Sequence, residues 1–224
     1  RLNMAIDIFS DNYHKHFLHQ LVSSQLDVDR LDDLKRDSFY SGVSEGVVGI
    51  DRIIKMFDVV DDRLVVEEKG IYSIEKFIVA RRLMYWQVYF HPVTKSAEII
   101  LRNILMRAKQ LYEQAYHFRF FVKPLDLLFE QAMTVQDYFL LDEAFIQMLF
   151  MQWTQEQDVI LADLCSRFLH RRLFKYISLE NKEDPVVEKI KQKLMKLGFD
   201  PSYYMEIDFP SDVSYDVYRP GESD

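Results

Sequence analysis

Apolar residues recur at the spacing of an α-helix along most of this chain. Near its start, Leu2, Ile6 and Phe9 mark one face of a helix, and a second helix follows a break around Asp11 and Asn12. The same periodicity predicts further helices over residues 50–57, 71–90, 93–114, 137–153, 156–172 and 184–198.

Strand signals in this sequence are few and short. Valine pairs at 59–60 and 65–66 flank an Asp-Asp-Arg turn, which predicts a small hairpin near residues 58–68. Residues 203–209 alternate loosely and predict a short C-terminal strand. The chain has only six glycines and six prolines, which favours long helices. The predicted fold class is therefore mainly α, with a small β-hairpin.

Composition narrows the class of protein. The 224 residues carry a formal net charge of −8, and no broad basic surface is evident, so stable nucleic-acid binding is not expected. The single cysteine, Cys165, excludes an intrachain disulfide framework and fits a reducing, cytoplasmic location. No signal peptide is visible, and no apolar run reaches the length of about 18 residues typical of a membrane span.

An acidic row dominates the segment from Ser23 to Ser38. Asp29, Asp33 and Asp37 lie four residues apart, with Arg30 beside the first of them. On a helix these carboxylates share one face, and like charges at that spacing cost a few tenths of a kcal/mol per pair. The row is either a solvated charged face or part of a site for a cation or a phosphate-bearing ligand.

A second group lies in R-R-L-M-Y-W-Q-V-Y-F-H, residues 81–91. Arg81, Tyr85 and Tyr89 are again four residues apart, and His91 closes the segment. Arginine offers a planar fork that fits phosphate oxygens, while tyrosine can stack or donate a hydrogen bond. The alternative is an amphipathic helix whose aromatic residues belong to the core.

Other catalytic patterns are weak in this sequence. It contains no P-loop, no G-x-G-x-x-G fingerprint and no G-x-S-x-G elbow. The segment Y-H-K-H-F-L-H has histidines near metal-ligand spacing, at His14, His16 and His19, but a solvated basic turn explains them more simply.

Both segments resemble the HD-domain phosphohydrolases. The first reads S-S-Q-L-D-V-D-R-L-D-D-L-K-R-D-S and is followed by Y-S-G-V, and the second reads R-R-L-M-Y-W-Q-V-Y-F-H. The similarity is to the dGTPase-like branch, the deoxynucleoside triphosphate triphosphohydrolases. It implies an HD-like helical bundle and water attack at the α-phosphorus, which releases nucleoside and inorganic triphosphate. It also implies three regions: core helices in 1–57, a substrate-binding and oligomerising region in 58–180, and a C-terminal helix with an extended tail in 181–224.

The resemblance assigns roles to individual residues. Asp29 matches a metal ligand, Arg30 and Arg81 match phosphate-binding residues, and Asp37 matches a sugar contact. The family usually has tyrosine at the position of Asp33, which leaves the sugar preference open. The complete set of expected substrate-binding residues is Arg30, Asp33, Asp37, Arg81, Tyr85, Tyr89 and His91.

The family's upstream His and His-Asp metal ligands have no match here, since the sequence contains no His-Asp dipeptide. The resemblance therefore implies the C-terminal part of such an enzyme, inactive by itself. Its site for a divalent ion (Mg²⁺, Mn²⁺ or another transition metal) would be incomplete. The expected partners are a deoxynucleoside triphosphate and further copies of the chain.

Two alternatives to the enzyme remain open at this point. The chain could be a non-catalytic helical module that senses a nucleotide or binds a protein partner. It could also be a structural scaffold, in which case Asp29 and Arg81 would be far apart and engaged in unrelated salt bridges.

Overall fold

Helices form most of the chain in the computed structural model, which describes residues 1–179, 181 and 184–208. Two units can be distinguished, one formed by Arg1–His91 and one that begins at Pro92. The three-part division suggested by the sequence concerns function and stays a prediction. Within the described ranges, none of the helices has the length and apolar character needed to cross a membrane.

The first unit combines helices with one hairpin. Its elements are, in order, α1 (Leu2–Phe9), α2 (His16–Val22), α3 (Val28–Ser41), a 3₁₀ turn (Ser44–Gly46), α4 (Ile50–Ile54), β1 (Phe57–Val60), β2 (Arg63–Val66), a 3₁₀ turn (Glu68–Gly70), α5 (Ile71–Met84) and a π-helical turn (Tyr85–Tyr89).

Helix α3 has clear signals at both ends. At its start, the side chain of Asp27 accepts a hydrogen bond of 2.7 Å from the backbone N–H of Arg30, which satisfies a donor that the helix leaves unpaired. At its end, Gly42 adopts the left-handed conformation with φ of 73°, a geometry that glycine takes without steric cost. These caps determine where the helix that carries the acidic row begins and ends.

The hairpin confirms the sequence prediction. Strands β1 and β2 pair antiparallel, with Phe57 opposite Val66 and Val60 opposite Arg63. Asp61 and Asp62 form the turn with φ of 50° and 60°, as a two-residue turn of the I′ type requires. Aspartate tolerates this conformation better than most residues, which explains why an Asp-Asp turn closes the hairpin.

The core of the first unit forms where α3, α4 and α5 meet. Its buried side chains are Leu31, Leu34, Ile53, Phe77, Ala80 and Met84. Gly46 is required beside this core, because a Cβ atom there would lie 2.7 Å from Cβ of Ser38 and 3.0 Å from Sδ of Met84. The 3₁₀ turn can therefore approach α3 and α5 only with glycine at this position.

The regular elements of the second unit are all helices within its described residues. Its elements are α6 (Pro92–Glu113), α7 (Lys123–Phe129), α8 (Val135–Tyr138), α9 (Glu143–Trp153), α10 (Val159–Leu169), α11 (Pro185–Lys196) and α12 (Pro201–Tyr204). Its core includes Ile100, Ile104, Leu149, Phe150, Trp153, Leu161, Leu164 and Cys165, all fully buried.

A buried ion pair ties two helices of this second unit together. Arg107 of α6 donates from Nε to Oδ1 of Asp158 at 3.0 Å and from Nη2 to Oδ2 at 2.5 Å. Asp158 also caps α10 by accepting a hydrogen bond from the N–H of Leu161 at 2.8 Å. Only 17% of the arginine side chain and 13% of the aspartate side chain are exposed, so the pair is largely shielded from water.

Two predictions about secondary structure were wrong in part. The helix expected over 137–153 is interrupted, because Thr134 and Asp137 form a capping box that begins α8 and Asp142 begins α9 with a second cap. The strand expected over 203–209 is not seen in its described part: Tyr203 and Tyr204 end the helix α12, and 205–208 have no regular structure. Residue 209 lies outside the described residues. An N-cap aspartate and Pro201 at the first helical position favour the helix.

Candidate functional site

A cavity of about 320 Å³, counting its open mouth, lies in the first unit between α3 and the end of α5. Its floor is apolar and buried, and its walls carry two arginines, one carboxylate and two phenols. The residues that line it are Arg30, Asp33, Leu34, Arg81, Met84, Tyr85 and Tyr89.

The α3 wall of the cavity depends on the cap of that helix. Asp27 is buried, and Oδ2 of its carboxylate lies 3.5 Å from Nε of Arg30. The same carboxylate accepts the backbone N–H of Arg30. The cap thereby holds Arg30 at the first turn of α3, with its guanidinium at the cavity.

The α5 wall places Arg81 against an aromatic ring. Nη2 of Arg81 donates a hydrogen bond of 3.3 Å to the hydroxyl of Tyr85. The guanidinium carbon lies 5.4 Å from the centroid of the same ring, within the range of a cation–π contact. Tyr85 in turn packs edge-on against Tyr89, with ring centroids 4.9 Å apart. Stacking and hydrogen bonding together orient the guanidinium at the cavity.

A π-helical turn connects this wall to α3. The backbone N–H of Phe90 donates to the carbonyl of Tyr85 at 2.8 Å, five residues back. Such turns are rare and frequently lie at functional sites. The hydroxyl of Tyr89, within the turn, donates a hydrogen bond to Oδ2 of Asp37. This contact joins residues 52 positions apart in sequence, one of which, Tyr89, lines the cavity.

The structure brings together most of the residues that the sequence singled out. Arg30, Asp33, Arg81, Tyr85 and Tyr89 line the cavity, and Asp37 adjoins it through Tyr89. Two others, Asp29 and His91, are exposed and do not belong to the lining. Sequence reasoning missed the floor residues Leu34 and Met84, whose only signal was their helical periodicity.

The acidic row changes the electrostatics of the α3 wall. Burial raises the pKa of the Asp33 carboxyl, and the charges of Asp29, Asp37 and Asp32 raise it further. Arg36 opposes this effect but is paired with Asp32, its Nη2 lying 2.7 Å from Oδ2. Ionised Asp33 therefore lowers the stability of the folded protein.

The effect of Asp33→Asn on the stability of the protein should therefore depend on pH. When folding raises the pKa of a carboxyl, the ionised group destabilises the folded protein at pH values above that pKa. This penalty disappears as the pH falls below the pKa of the unfolded state. The variant should therefore be more stable than the wild type by about 0.5 kcal/mol at pH 7, from two relieved like-charge pairs, and equally stable near pH 3. Urea unfolding at both pH values measures the difference.

The matched control for this experiment is the neighbouring residue. Asp32→Asn removes a carboxylate that pairs with Arg36, so it should leave the protein slightly less stable at pH 7. A destabilising effect of Asp33→Asn at pH 7 would contradict the electrostatic description of this wall.

The residues do not by themselves fit a metal ion. Within residues 1–179, 181 and 184–208, no group of three His, Cys, Asp or Glu side chains is placed to hold one. Asp29 offers a single exposed carboxylate in the first turn of α3. His16 is bonded to Asp11 at 2.9 Å and His19 to the carbonyl of Ile8 at 3.0 Å, so the histidine run has a structural use at the α1–α2 turn.

Comparisons with known proteins support an HD-type phosphohydrolase family. The chain is 42% identical over 219 residues to the uncharacterized protein YwfO of Bacillus subtilis. The aligned residues cover 97% of this chain and 51% of that protein. A deoxynucleoside triphosphate triphosphohydrolase SAMHD1 homolog of Dictyostelium discoideum is 32% identical over 97 residues, 42% of this chain and 19% of that protein. The chain spans about half the length of the first curated relatives it matches.

The fold has a solved counterpart. The crystal structure of a phosphohydrolase from Bacteroides thetaiotaomicron is similar with a TM-score of 0.79 and 42% identity, over 91% of this chain and 53% of that one. Residues 48–199 match the model of the family described as the HD associated region. Because that match extends over more than half of the sequence, this chain belongs to the HD-associated region family.

Proposed function

We propose that this chain forms the substrate-binding part of an HD-type phosphohydrolase that converts (deoxy)nucleoside triphosphates to nucleoside and triphosphate. The observation that carries the proposal is the cavity between α3 and α5. It gathers two arginines from different helices, together with the phenols of Tyr85 and Tyr89. The similarity to a phosphohydrolase and to a triphosphohydrolase homolog supports the same class of reaction.

The two arginines would bind the triphosphate. A guanidinium donates parallel hydrogen bonds to phosphate oxygens and keeps its charge at any physiological pH. Arg30 and Arg81 approach the cavity from opposite walls, so they could hold one polyphosphate between them. Leu34 and Met84 exclude water from the floor, which strengthens both interactions because the local dielectric constant is lower.

The remaining residues would orient the substrate. Tyr85 fixes the guanidinium of Arg81, and the proposal assigns the sugar to the hydrogen-bonded pair of Tyr89 and Asp37. His91 is exposed beyond the end of the π-helical turn, so a role for it at the mouth of the site stays a prediction.

The proposed activity includes a divalent metal ion, of which this chain would supply one ligand. Such an ion polarises phosphoryl oxygens or lowers the pKa of a bound water. Asp29 is the candidate ligand, and the other donors would come from residues outside this sequence. The assembly of several copies, which the resemblance implies, is likewise part of the proposal.

A hydrolysis assay on the complete polypeptide that contains this sequence tests the proposal. We expect release of nucleoside and inorganic triphosphate in the presence of Mg²⁺ or Mn²⁺, and none after removal of the metal by EDTA. Failure to turn over any nucleoside triphosphate, with each metal tested in turn, would contradict the proposed reaction.

A second candidate is a nucleotide-sensing module without catalysis. The finding that favours it is the lack of a three-ligand metal group in the described part of the chain. The same assay separates the two candidates when it is combined with a binding measurement. Nucleotide binding that depends on Arg81, without turnover by the complete polypeptide, would support the sensing module.

A further inference from the structure

Asp33 presents an exposed carboxylate at the edge of the cavity, and no side chain of the described residues is bonded to it. It lines the same space as Arg30 and Arg81. Among the described residues, however, it forms no hydrogen bond and no ion pair within 4.0 Å, and its neighbours at i−4, i−1 and i+4 are all aspartates. Both of its oxygens are therefore available as acceptors toward a ligand.

A carboxylate at this point cannot itself bind phosphate, since the two anions repel each other. An ionised aspartate only accepts hydrogen bonds, and its two oxygens suit a pair of adjacent donors. The part of the ligand that meets Asp33 must therefore present donors, and two hydroxyl groups on neighbouring carbons match the spacing of the two carboxylate oxygens.

The position of Asp33 on α3 identifies that part of the ligand. Arg30 and Asp33 are three residues apart, which is less than one helical turn of about 5.4 Å. In a nucleotide, the group covalently next to the phosphates is the sugar, while the base lies farther away. The hydrogen-bonded pair of Tyr89 and Asp37 is one further turn along the same face. A carboxylate so close to the phosphate-binding arginine therefore faces the sugar.

We infer that Asp33 is a specificity-determining residue that accepts hydrogen bonds from the 2′- and 3′-hydroxyls of a ribose, so that the cavity selects ribonucleoside over 2′-deoxyribonucleoside triphosphates. The inference rests on the proposed function and narrows its substrate class, against the deoxynucleotide preference that the family resemblance implies.

Paired binding measurements test this inference. ATP and dATP, and then GTP and dGTP, are titrated calorimetrically into the chain as wild type, Asp33→Ala and Asp32→Ala. We expect the wild type to bind each ribonucleotide about 10-fold or more tightly than its deoxy partner, since a hydrogen bond to a charged group contributes about 1.5–3 kcal/mol. In Asp33→Ala the ratio should fall to about 1, whereas Asp32→Ala, which changes a neighbour that pairs with Arg36 and does not line the cavity, should keep it.

Inorganic triphosphate, titrated with EDTA present, separates the failure of this inference from the failure of the proposed function. It has no sugar, so Asp33→Ala should leave its binding unchanged or tighter. Suppose that inorganic triphosphate binds in an Arg81-dependent manner. If dATP and dGTP then bind as tightly as ATP and GTP, or if Asp33→Ala keeps the ribonucleotide preference, the inference about ribose is overturned while the proposed function stands. If Arg81→Gln does not weaken its binding, the proposed function fails. Asp33→Asn provides a second variant should the alanine protein not fold, and a ribose preference retained in full by it would also count against the inference.

Discussion

Replacing Asp158 by alanine should lower the free energy of unfolding of the second unit by about 3–5 kcal/mol. Arg107 makes two hydrogen bonds to this carboxylate and is largely buried. Without Asp158 the guanidinium would remain shielded from water with no counter-charge, which costs far more than the loss of a surface pair. Helix α10 would also lose its N-cap hydrogen bond to Leu161, which contributes about 1 kcal/mol.

Trp153 offers the means to measure this effect. It is fully buried in the core of the second unit, whereas Trp86 is 57% exposed in the first. Urea unfolding followed by fluorescence in a Trp86→Phe background therefore reports on the unit that contains Asp158. Glu98→Ala serves as the surface control, because Glu98 is exposed in its pair with Lys95 and such a pair should contribute less than 1 kcal/mol.

Asp158→Asn separates the ion pair from the cap. Asparagine is an equally good N-cap residue, so this variant should lose the charge interaction but keep the bond to Leu161, and it should be destabilised less than the alanine variant. Equal stability of wild type and Asp158→Ala would contradict the buried ion pair.

The same pair should make stability depend on pH. Burial raises the pKa of Asp158, but the Arg107 hydrogen bonds and the backbone N–H of Leu161 outweigh it, so the pKa lies below its ordinary value. Stability from a lowered carboxyl pKa is present above the unfolded value and is lost as pH falls through the folded value. The difference between wild type and Asp158→Asn should accordingly shrink in acid.

The helices were largely predictable because each one buries an apolar stripe. Phe77 in α5, and Ile100 and Ile104 in α6, are buried in helices that the periodicity predicted. The hairpin followed from valine pairs around an Asp-Asp turn. Helix ends were harder to predict: the capping box at Thr134 begins a helix of only four residues, and apolar spacing carries no information about such an interruption.

The candidate site could be predicted as two segments but not as one cavity. Their four-residue spacing put Arg81, Tyr85 and Tyr89 on one face of a helix, yet it could not show that the last two lie in a π-helical turn. The bond from Tyr89 to Asp37 depends on how α3 and α5 pack, and that is a tertiary property. For the same reason, Leu34 and Met84 look like ordinary core residues in the sequence, although they form the cavity floor.

Arg81→Gln should weaken binding of inorganic triphosphate about 10- to 100-fold, which corresponds to the 1.5–3 kcal/mol of a hydrogen bond to a charged group. Arg81 lines the cavity and is oriented by the ring and hydroxyl of Tyr85. Glutamine keeps a hydrogen-bond donor but removes the charge and the planar fork. Its neighbour Arg82 is exposed and does not line the cavity, so Arg82→Gln is a control with the same change of net charge.

The central claim is that the space between α3 and α5 binds the phosphates of a nucleotide. Calorimetric titration of inorganic triphosphate into the wild type, Arg81→Gln and Arg82→Gln tests it most directly. The structure predicts that the wild type and Arg82→Gln bind with equal affinity and that Arg81→Gln binds at least about 10-fold more weakly. Equal weakening by the two substitutions, or no effect of either, would show that the triphosphate does not bind in this cavity.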